Sequence, residues 1–237
     1  YESRVEMGRR LALEQPVDAD VVITGYRPGA LDRFGLSADE LLARGATKVY
    51  ATSRTPEASN DARIANVALD VTVESSVLAL ADAAADATII VNNAGLLAGQ
   101  SLSTSPIDDI EAAMETNFFG PLRVTRGFLP KFVATDAATI VNVASVLAWI
   151  PGSGAYGCSK AALWSATNSL RMELEPQNIN VVGVYLGYTD TDMVSGLDVP
   201  KNDPADVARQ IVDAIESGAP EVIADDVTRA ARSSVFR

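Results

Sequence analysis

Short apolar runs rich in β-branched residues alternate with longer stretches of helical periodicity along this chain, and that alternation limits the folds open to it more than any other feature. The runs are Asp20 to Thr24, Lys48 to Thr52, Ile64 to Leu69, Thr88 to Asn92, Thr139 to Val143, Asn180 to Val184 and Glu221 to Ile223. Strands separated by helices in this rhythm are βαβ units, which build a mostly parallel sheet through right-handed crossovers. Helix signals lie between them. Ser37-Ala38-Asp39-Glu40 forms a capping box ahead of Leu41-Leu42, Gly45 is placed to stop that helix, and Pro204 and Asp206 open a late one. The expectation is an α/β fold with a doubly wound, mostly parallel seven-stranded sheet and helices on both faces. Such a sheet takes its ligand beyond the carboxyl ends of its strands, at the switch point beside the first strand. With 237 residues, 48% of them hydrophobic, and no repeat or linker, the whole of 1–237 reads as a single domain. Ser195 to Pro204 is the most loop-like interior stretch and is placed to form a mobile cover over a site.

Charge and residue usage remove several classes of function. A net charge of −12 argues against a surface for nucleic acid or an anionic membrane, which calls for clustered Lys and Arg. The chain has no histidine, so histidine-based triads and histidine metal sites are not expected. Its one cysteine, Cys158, cannot form an intrachain disulfide. No apolar run reaches membrane-spanning length, and the charged start Tyr1-Glu2-Ser3-Arg4-Val5-Glu6 does not read as a signal peptide. A cytoplasmic location is the expectation. Proton chemistry falls to Tyr, Lys or carboxylates.

The strand ends hold the candidates. Asn92-Asn93-Ala94-Gly95 closes the fourth run with small residues that let backbone approach a ligand, although such a tetrapeptide also serves as a plain turn. Ser145 follows the fifth run, where a hydroxyl can also be a simple cap. Asn117, in Glu115-Thr116-Asn117-Phe118-Phe119-Gly120-Pro121, sits in a helical stretch that the following Gly-Pro weakens, which predicts a kink and an exposed carbonyl. Tyr156 and Lys160 are spaced to share one helix face. A cation about 4 Å from a phenolate is worth roughly 4 kcal/mol at an effective dielectric near 20, enough to bring a phenol from about 10 toward neutrality. Taken alone, that spacing also occurs wherever a Tyr and a Lys share a helix surface.

In their order and rough spacing, Asn92-Asn93-Ala94-Gly95, Asn117, Ser145, Tyr156 with Lys160, and Thr191 in Gly187-Tyr188-Thr189-Asp190-Thr191 resemble the short-chain dehydrogenase/reductase superfamily over about residues 47–223. The resemblance implies a Rossmann-like fold and hydride transfer between a nicotinamide cofactor and a carbonyl or alcohol. It implies that Tyr156 exchanges the proton, that Lys160 lowers the phenol's pKa and bonds the nicotinamide ribose, and that Ser145 holds the substrate oxygen. Asn117 would support Lys160 and a water chain. Asp70 and Val71, ending the third strand, would meet adenine, with Asn93, Ala94 and Gly95 along the ribose and Thr191 at the carboxamide. At the end of the second strand an acid would bond a ribose 2′-hydroxyl, whereas an Arg accommodates a 2′-phosphate, so Arg54 favours NADP(H) over NAD(H). Family members are commonly homodimers or homotetramers, and the same is expected here.

The first 45 residues depart from that pattern. The family's Thr-Gly-x-x-x-Gly-x-Gly loop, which cradles a pyrophosphate at a helix N-terminus, is matched by Thr24, Gly25 and Gly29, but Leu31 stands where the third Gly belongs and Pro28 removes a backbone donor. Gly35 is a substitute in a bulged loop. Residues of about 19–44, from Ala19-Asp20-Val21-Val22-Ile23-Thr24-Gly25-Tyr26-Arg27-Pro28-Gly29 to Phe34-Gly35-Leu36, resemble instead a segment of family III CoA transferases and acyl-CoA racemases. Further on, Leu186 replaces the proline usual before Gly187, and the step from Ser145 to Tyr156 is short. Leu147, Trp149, Leu186 and Met193 fall near the expected cleft and suit an apolar substrate, though core packing is the more common role at such positions. The sequence therefore supports an NADP(H)-dependent oxidoreductase of small or medium apolar carbonyls or secondary alcohols. The alternative is a non-catalytic relative, a scaffold or binding domain whose altered loop no longer grips dinucleotide.

Overall fold

A computed structural model describes residues 19–24, 42, 45–56, 59–133, 135 and 137–235. Gly25, Gly29 and Gly35, the Ser37 capping box, and most of the segment resembling CoA transferases lie outside the described residues.

The apolar runs form strands; β7 coincides with the sequence expectation, and most of the others reach one or two residues past it at one end or both. They are β1 (Ala19–Thr24), β2 (Ala46–Ser53), β3 (Ile64–Ala68), β4 (Ala87–Asn92), β5 (Ala138–Val143), β6 (Ile179–Tyr185) and β7 (Glu221–Ile223). Only β3 is shorter than expected. It stops at Ala68, so Asp70 and Val71 lie in the turn beyond it, although Leu69 N–H still donates to Ser53 O at 2.9 Å. Among the described residues the strands lie in the order β3-β2-β1-β4-β5-β6-β7, every pair parallel. The order reverses between β1 and β4, where a crevice opens at the carboxyl ends.

Helices cover both faces: α1 (Glu74–Ala83), α2 (Ile107–Met114), α3 (Gly120–Phe132), α4 (Gly154–Leu174), α5 (Pro204–Ser217) and α6 (Asp226–Val235). Successive strand side chains point to opposite faces, and the core divides accordingly. Val49, Val91, Val141 and Val182 join the α5 residues Val207, Ile211 and Val212 on one side. Tyr50, Ile90, Ile140 and Val181 join Val77 and Leu80 of α1 and Val124, Phe128 and Phe132 of α3 on the other. The helix α5 begins as its sequence indicates, with Pro204 in its first turn and the Asp203 carboxylate accepting Ala205 N–H at 2.9 Å, and it ends at Gly218 with φ of 69°. Among the described residues no helix is long and apolar enough to cross a membrane.

The expected kink at Asn117 takes another form. Glu115–Phe119 is a π-helical turn joining α2 to α3 without a break. The widened turn is where the regular ladder is already interrupted, so Pro121, which lacks an N–H, falls within the first turn of α3 at little cost. Gly120 is required there, because a Cβ would lie 2.8 Å from Val71 Cγ2.

Candidate active site

Four of the residues singled out in the sequence converge at the carboxyl ends of β4 and β5. Ser145 follows β5 in an extended conformation, 5% exposed, and caps the short 3-10 turn Val146–Ala148 by accepting Leu147 N–H at 3.2 Å. Tyr156 sits in the first turn of α4, partly buried, with the Ser145 hydroxyl near enough to its phenol to lower the phenol's pKa. Lys160 lies one turn further on, 3% exposed, with Nζ donating to Val143 O at 2.8 Å and standing 5.7 Å from the centre of the Tyr156 ring. Asn117, fully buried in the π turn, accepts Leu96 N–H at 2.7 Å through Oδ1 and donates through Nδ2 to Leu96 O and Ser159 Oγ, each at 2.9 Å. Ser159 in turn donates to Tyr156 O at 2.7 Å. One amide thus ties the loop after β4 to the helix that carries Tyr156 and Lys160. The link between Asn117 and Lys160 runs through Ser159 and the helix backbone.

The start of α4 is fixed by a close approach of two loops. Gly154 has φ of 59°, and a Cβ built on it would lie 2.4 Å from both Gly99 O and Gln100 O. Gly99 is also left-handed, with φ of 62°, and its carbonyl accepts Ala155 N–H at 2.7 Å. Gly154→Ala should therefore destabilise the fold by at least about 2 kcal/mol, combining left-handed strain with a backbone clash. Denaturant unfolding of the purified variant checks this, and a midpoint equal to that of the parent protein would contradict it.

The electrostatics differ from the sequence expectation. Burial pushes the Tyr156 phenol above its usual 10.0, and the nearby Ser145 hydroxyl offsets only part of that. Burial also lowers the Lys160 ammonium to about 8. In this geometry desolvation outweighs the pair's attraction, so the phenol is not brought toward neutrality by its lysine. Tyr156 is protonated at neutral pH, beside an ammonium still largely charged.

The remaining candidates are spread along the crevice. Asn93, Ala94 and Gly95 leave β4 half-buried. A Cβ on Gly95 would meet Met193 Cε at 3.7 Å and Asn117 Oδ1 at 3.8 Å, so the strand end sits beneath Met193. Arg54 is exposed just past β2 and helps lower the Asp70 carboxyl, after the larger effect of hydrogen bonds from Thr72. Asp70 Oδ1 accepts Thr72 N–H at 2.9 Å and Oγ1 at 2.7 Å. Val71 is buried against Gly120. Thr191 is partly buried in a bend, its carbonyl accepting Val194 N–H at 3.1 Å.

Of the apolar candidates, Leu147 and Trp149 line an open groove of about 690 Å³ that also takes in Leu102, Ile150, Gly157 and Cys158. Leu186 does not belong with them. It packs against the core cluster of β6 and α5, and its carbonyl accepts Val146 N–H at 2.9 Å, because the register of β6 turns the side chain inward. Trp149 serves both purposes, since its ring also lies 4.6 Å from that of Tyr185.

Sequence reasoning missed Ser159, Gly99 and Asp225. Ser159 had a readable signal in its place beside Lys160. Asp225 had none, because its partners are far away in the chain: it accepts Gly187 N–H at 2.7 Å and Asn202 Nδ2–H at 2.8 Å.

Comparisons with known proteins agree with this geometry. A family model described as short chain dehydrogenase matches residues 21–202. The chain is 34% identical over 225 residues to the uncharacterized oxidoreductase YusZ of Bacillus subtilis, covering 83% of this chain and 80% of that protein. It is 34% identical over 188 residues to sulfoacetaldehyde reductase 2 of Chromohalobacter salexigens, covering 73% of each. Among solved structures, a short chain dehydrogenase from Burkholderia cenocepacia in complex with NADP superposes with a TM-score of 0.83 at 31% identity over 93% of both chains. The family match begins at residue 21 and so runs through most of the segment that resembles CoA transferases, and that second resemblance finds no support.

Proposed function

The chain belongs to the short-chain dehydrogenase/reductase family of oxidoreductases, and from that premise we propose that it exchanges a hydride between NADP(H) and a small or medium apolar carbonyl or secondary alcohol, with Tyr156 as the proton donor and acceptor. The observation that carries this reading is the convergence of the Ser145 hydroxyl, the Tyr156 phenol and the buried Lys160 ammonium, held by Val143 O, at the carboxyl end of a central parallel strand.

The residues present fit a dinucleotide. Lys160 has three ammonium protons, and Val143 O takes one, which leaves donors for ribose hydroxyls. Ser53, the last residue of β2, has a buried hydroxyl with no hydrogen-bond partner among the described residues, directly before the exposed Arg54. An orphaned hydroxyl beside a cation suits a 2′-phosphate. Arg54 would hold that group, Asp70 and Val71 the adenine, Asn93, Ala94 and Gly95 the ribose, and Thr191 the carboxamide. Gly25 and Gly29, assigned to the pyrophosphate, lie outside the described residues. Bound there, the nicotinamide supplies or accepts the hydride.

In reduction the protonated Tyr156 donates its proton to the carbonyl oxygen. Ser145 hydrogen-bonds the same oxygen, an interaction that strengthens as negative charge develops there. The phenolate left behind is stabilised by the Lys160 ammonium. Asn117 keeps the loop after β4 and the start of α4 in register and supports resupply of the proton. The groove lined by Leu147 and Trp149 carries no charged side chain and is mostly apolar; Ser145, Tyr156 and Lys160 do not line it, and Leu147, whose N–H Ser145 accepts, connects it to them.

Fluorescence titration tests the cofactor assignment. NADPH should saturate the protein and bind more tightly than NADH, and Arg54→Asp should cut that preference roughly tenfold or more by removing a charge-assisted contact. Absence of saturable binding of either nucleotide at millimolar levels would overturn the enzyme reading in favour of a non-catalytic binding domain. An unchanged NADPH/NADH ratio in Arg54→Asp would remove Arg54 from the 2′-phosphate.

A further inference from the structure

The stretch between β6 and α5 is closed on itself at its base. Asn202 N–H donates to Tyr188 O at 2.7 Å, Asp190 N–H donates to Asn202 O at 3.1 Å, and Lys201 Nζ lies 3.7 Å from Asp190 Oδ1. Thr189 and Asn202 form a parallel bridge across that base. Residues 188–202 are therefore a strap, with Thr191 near its root and the Met193 methyl lying over Gly95 at the end of β4. The strap has few apolar anchors of its own: Tyr188, Met193, Leu197 and Val199 are all exposed.

A single carboxylate fastens its root to the sheet. Asp225, just beyond β7, uses Oδ2 to accept Gly187 N–H at 2.7 Å and Asn202 Nδ2–H at 2.8 Å, from the two ends of the strap. Its Oδ1 accepts Thr228 N–H and Thr228 Oγ1–H, both at 2.8 Å, which caps α6. Burial pushes the Asp225 carboxyl up, and the hydrogen bonds from Gly187, Thr228 and Asn202 more than offset it, holding the group ionised. Leu186 stands where a proline would stiffen the turn, so the hydrogen bond to Gly187 N–H supplies restraint that the backbone here lacks.

We propose that Asp225 is a positioning residue: it clamps both ends of the 188–202 strap to the end of β7, and so holds Thr191 and Met193 over the end of β4, where dinucleotide and substrate meet Tyr156. The strap's role in binding rests on the oxidoreductase reading, whereas the clamp itself does not. Charge-assisted hydrogen bonds to a half-buried carboxylate are among the stronger ones a loop can have. A strap with exposed apolar residues depends on them for order.

Amide hydrogen exchange on the full chain without nucleotide tests the clamp. In Asp225→Ala, exchange across 188–202 should accelerate about tenfold or more, while amides of β4 and β5 exchange as in the parent. Asn202→Ala, which leaves the α6 cap intact, should give the same local acceleration and carries the test if Asp225→Ala does not fold. Thr228→Val removes one hydrogen bond on the capping side only, so it should lower thermal stability and leave strap exchange unchanged. Unchanged strap exchange in Asn202→Ala, or acceleration in Thr228→Val equal to that in the other variants, would overturn the proposal. With NADPH and a carbonyl substrate, Asn202→Ala should raise KM and the NADPH Kd by about tenfold with a smaller change in kcat. If exchange responds while no variant or parent binds nucleotide, the clamp stands and the oxidoreductase reading fails.

Discussion

Tyr156→Phe should lower turnover by about 10²- to 10⁴-fold, the range expected when a positioned proton donor is removed, and should leave NADPH affinity nearly intact. The substitution deletes one hydroxyl and keeps the ring, so the packing at the start of α4 survives. What disappears is the proton and the hydroxyl that Ser145 influences. The affinity should hold because the groups assigned to the sugar and phosphates, Lys160, Asn93, Gly95 and Arg54, are untouched. Steady-state reduction of an apolar ketone, paired with a fluorescence titration of NADPH, separates the two quantities. Turnover equal to that of the parent would remove Tyr156 from its role. A parallel loss of nucleotide affinity would assign the phenol to binding. Because burial raises this phenol's pKa, the parent protein should run reduction with a protonated donor throughout the neutral range.

Much of this site was legible because its parts sit where short-range rules apply. Runs such as Thr139 to Val143 are confined to one strand each, so composition locates them, and the structure extends that one only to Ala138. Tyr156 and Lys160 share a helix face, and helix spacing predicts their proximity without knowledge of the fold. Their electrostatics were not legible. Proximity implies a lowered phenol pKa, but the sign depends on how much water the folded chain excludes, and burial here drives Tyr156 up and Lys160 down. The π turn at Asn117 was likewise hidden. Gly120-Pro121 signals an interruption, but not that it takes the form of a widened turn or that Gly120 packs against Val71 from another part of the chain. Leu186 shows the same limit in another form: its neighbours in sequence place it near the cleft, and the register of β6 turns it into the core. Asp225 joins Gly187, Asn202 and Thr228 through tertiary contacts alone, and no local pattern marks it.

Lys160→Met should abolish most activity and yet make the protein more stable at neutral pH. The folded-state pKa of Lys160 is lowered from 10.5 to about 8 by burial, and the residue is 3% exposed. A lysine with a lowered pKa is a destabilising group wherever it is charged. Below about pH 8 both folded and unfolded chains hold the proton, and the folded state bears the full desolvation penalty, on the order of 3 kcal/mol for a displacement of this size. From about pH 8 to 10.5 the unfolded chain retains a proton that the folded one has released, so stability rises with pH. Above 10.5 neither form is charged and the penalty is gone. Met fills similar volume without charge, at the cost of the bond to Val143 O, which returns about 1 kcal/mol of the gain. The variant should therefore be more stable than the parent by roughly 2 kcal/mol at pH 7, and the advantage should shrink as pH rises through that window. Denaturant unfolding of both proteins at intervals from neutral to alkaline pH measures the difference. Parallel stability curves, or a variant less stable than the parent at pH 7, would show that Lys160 is not held against its solvation. An ammonium kept in place at that cost, one turn from the phenol, supports a functional rather than a structural reason for the lysine.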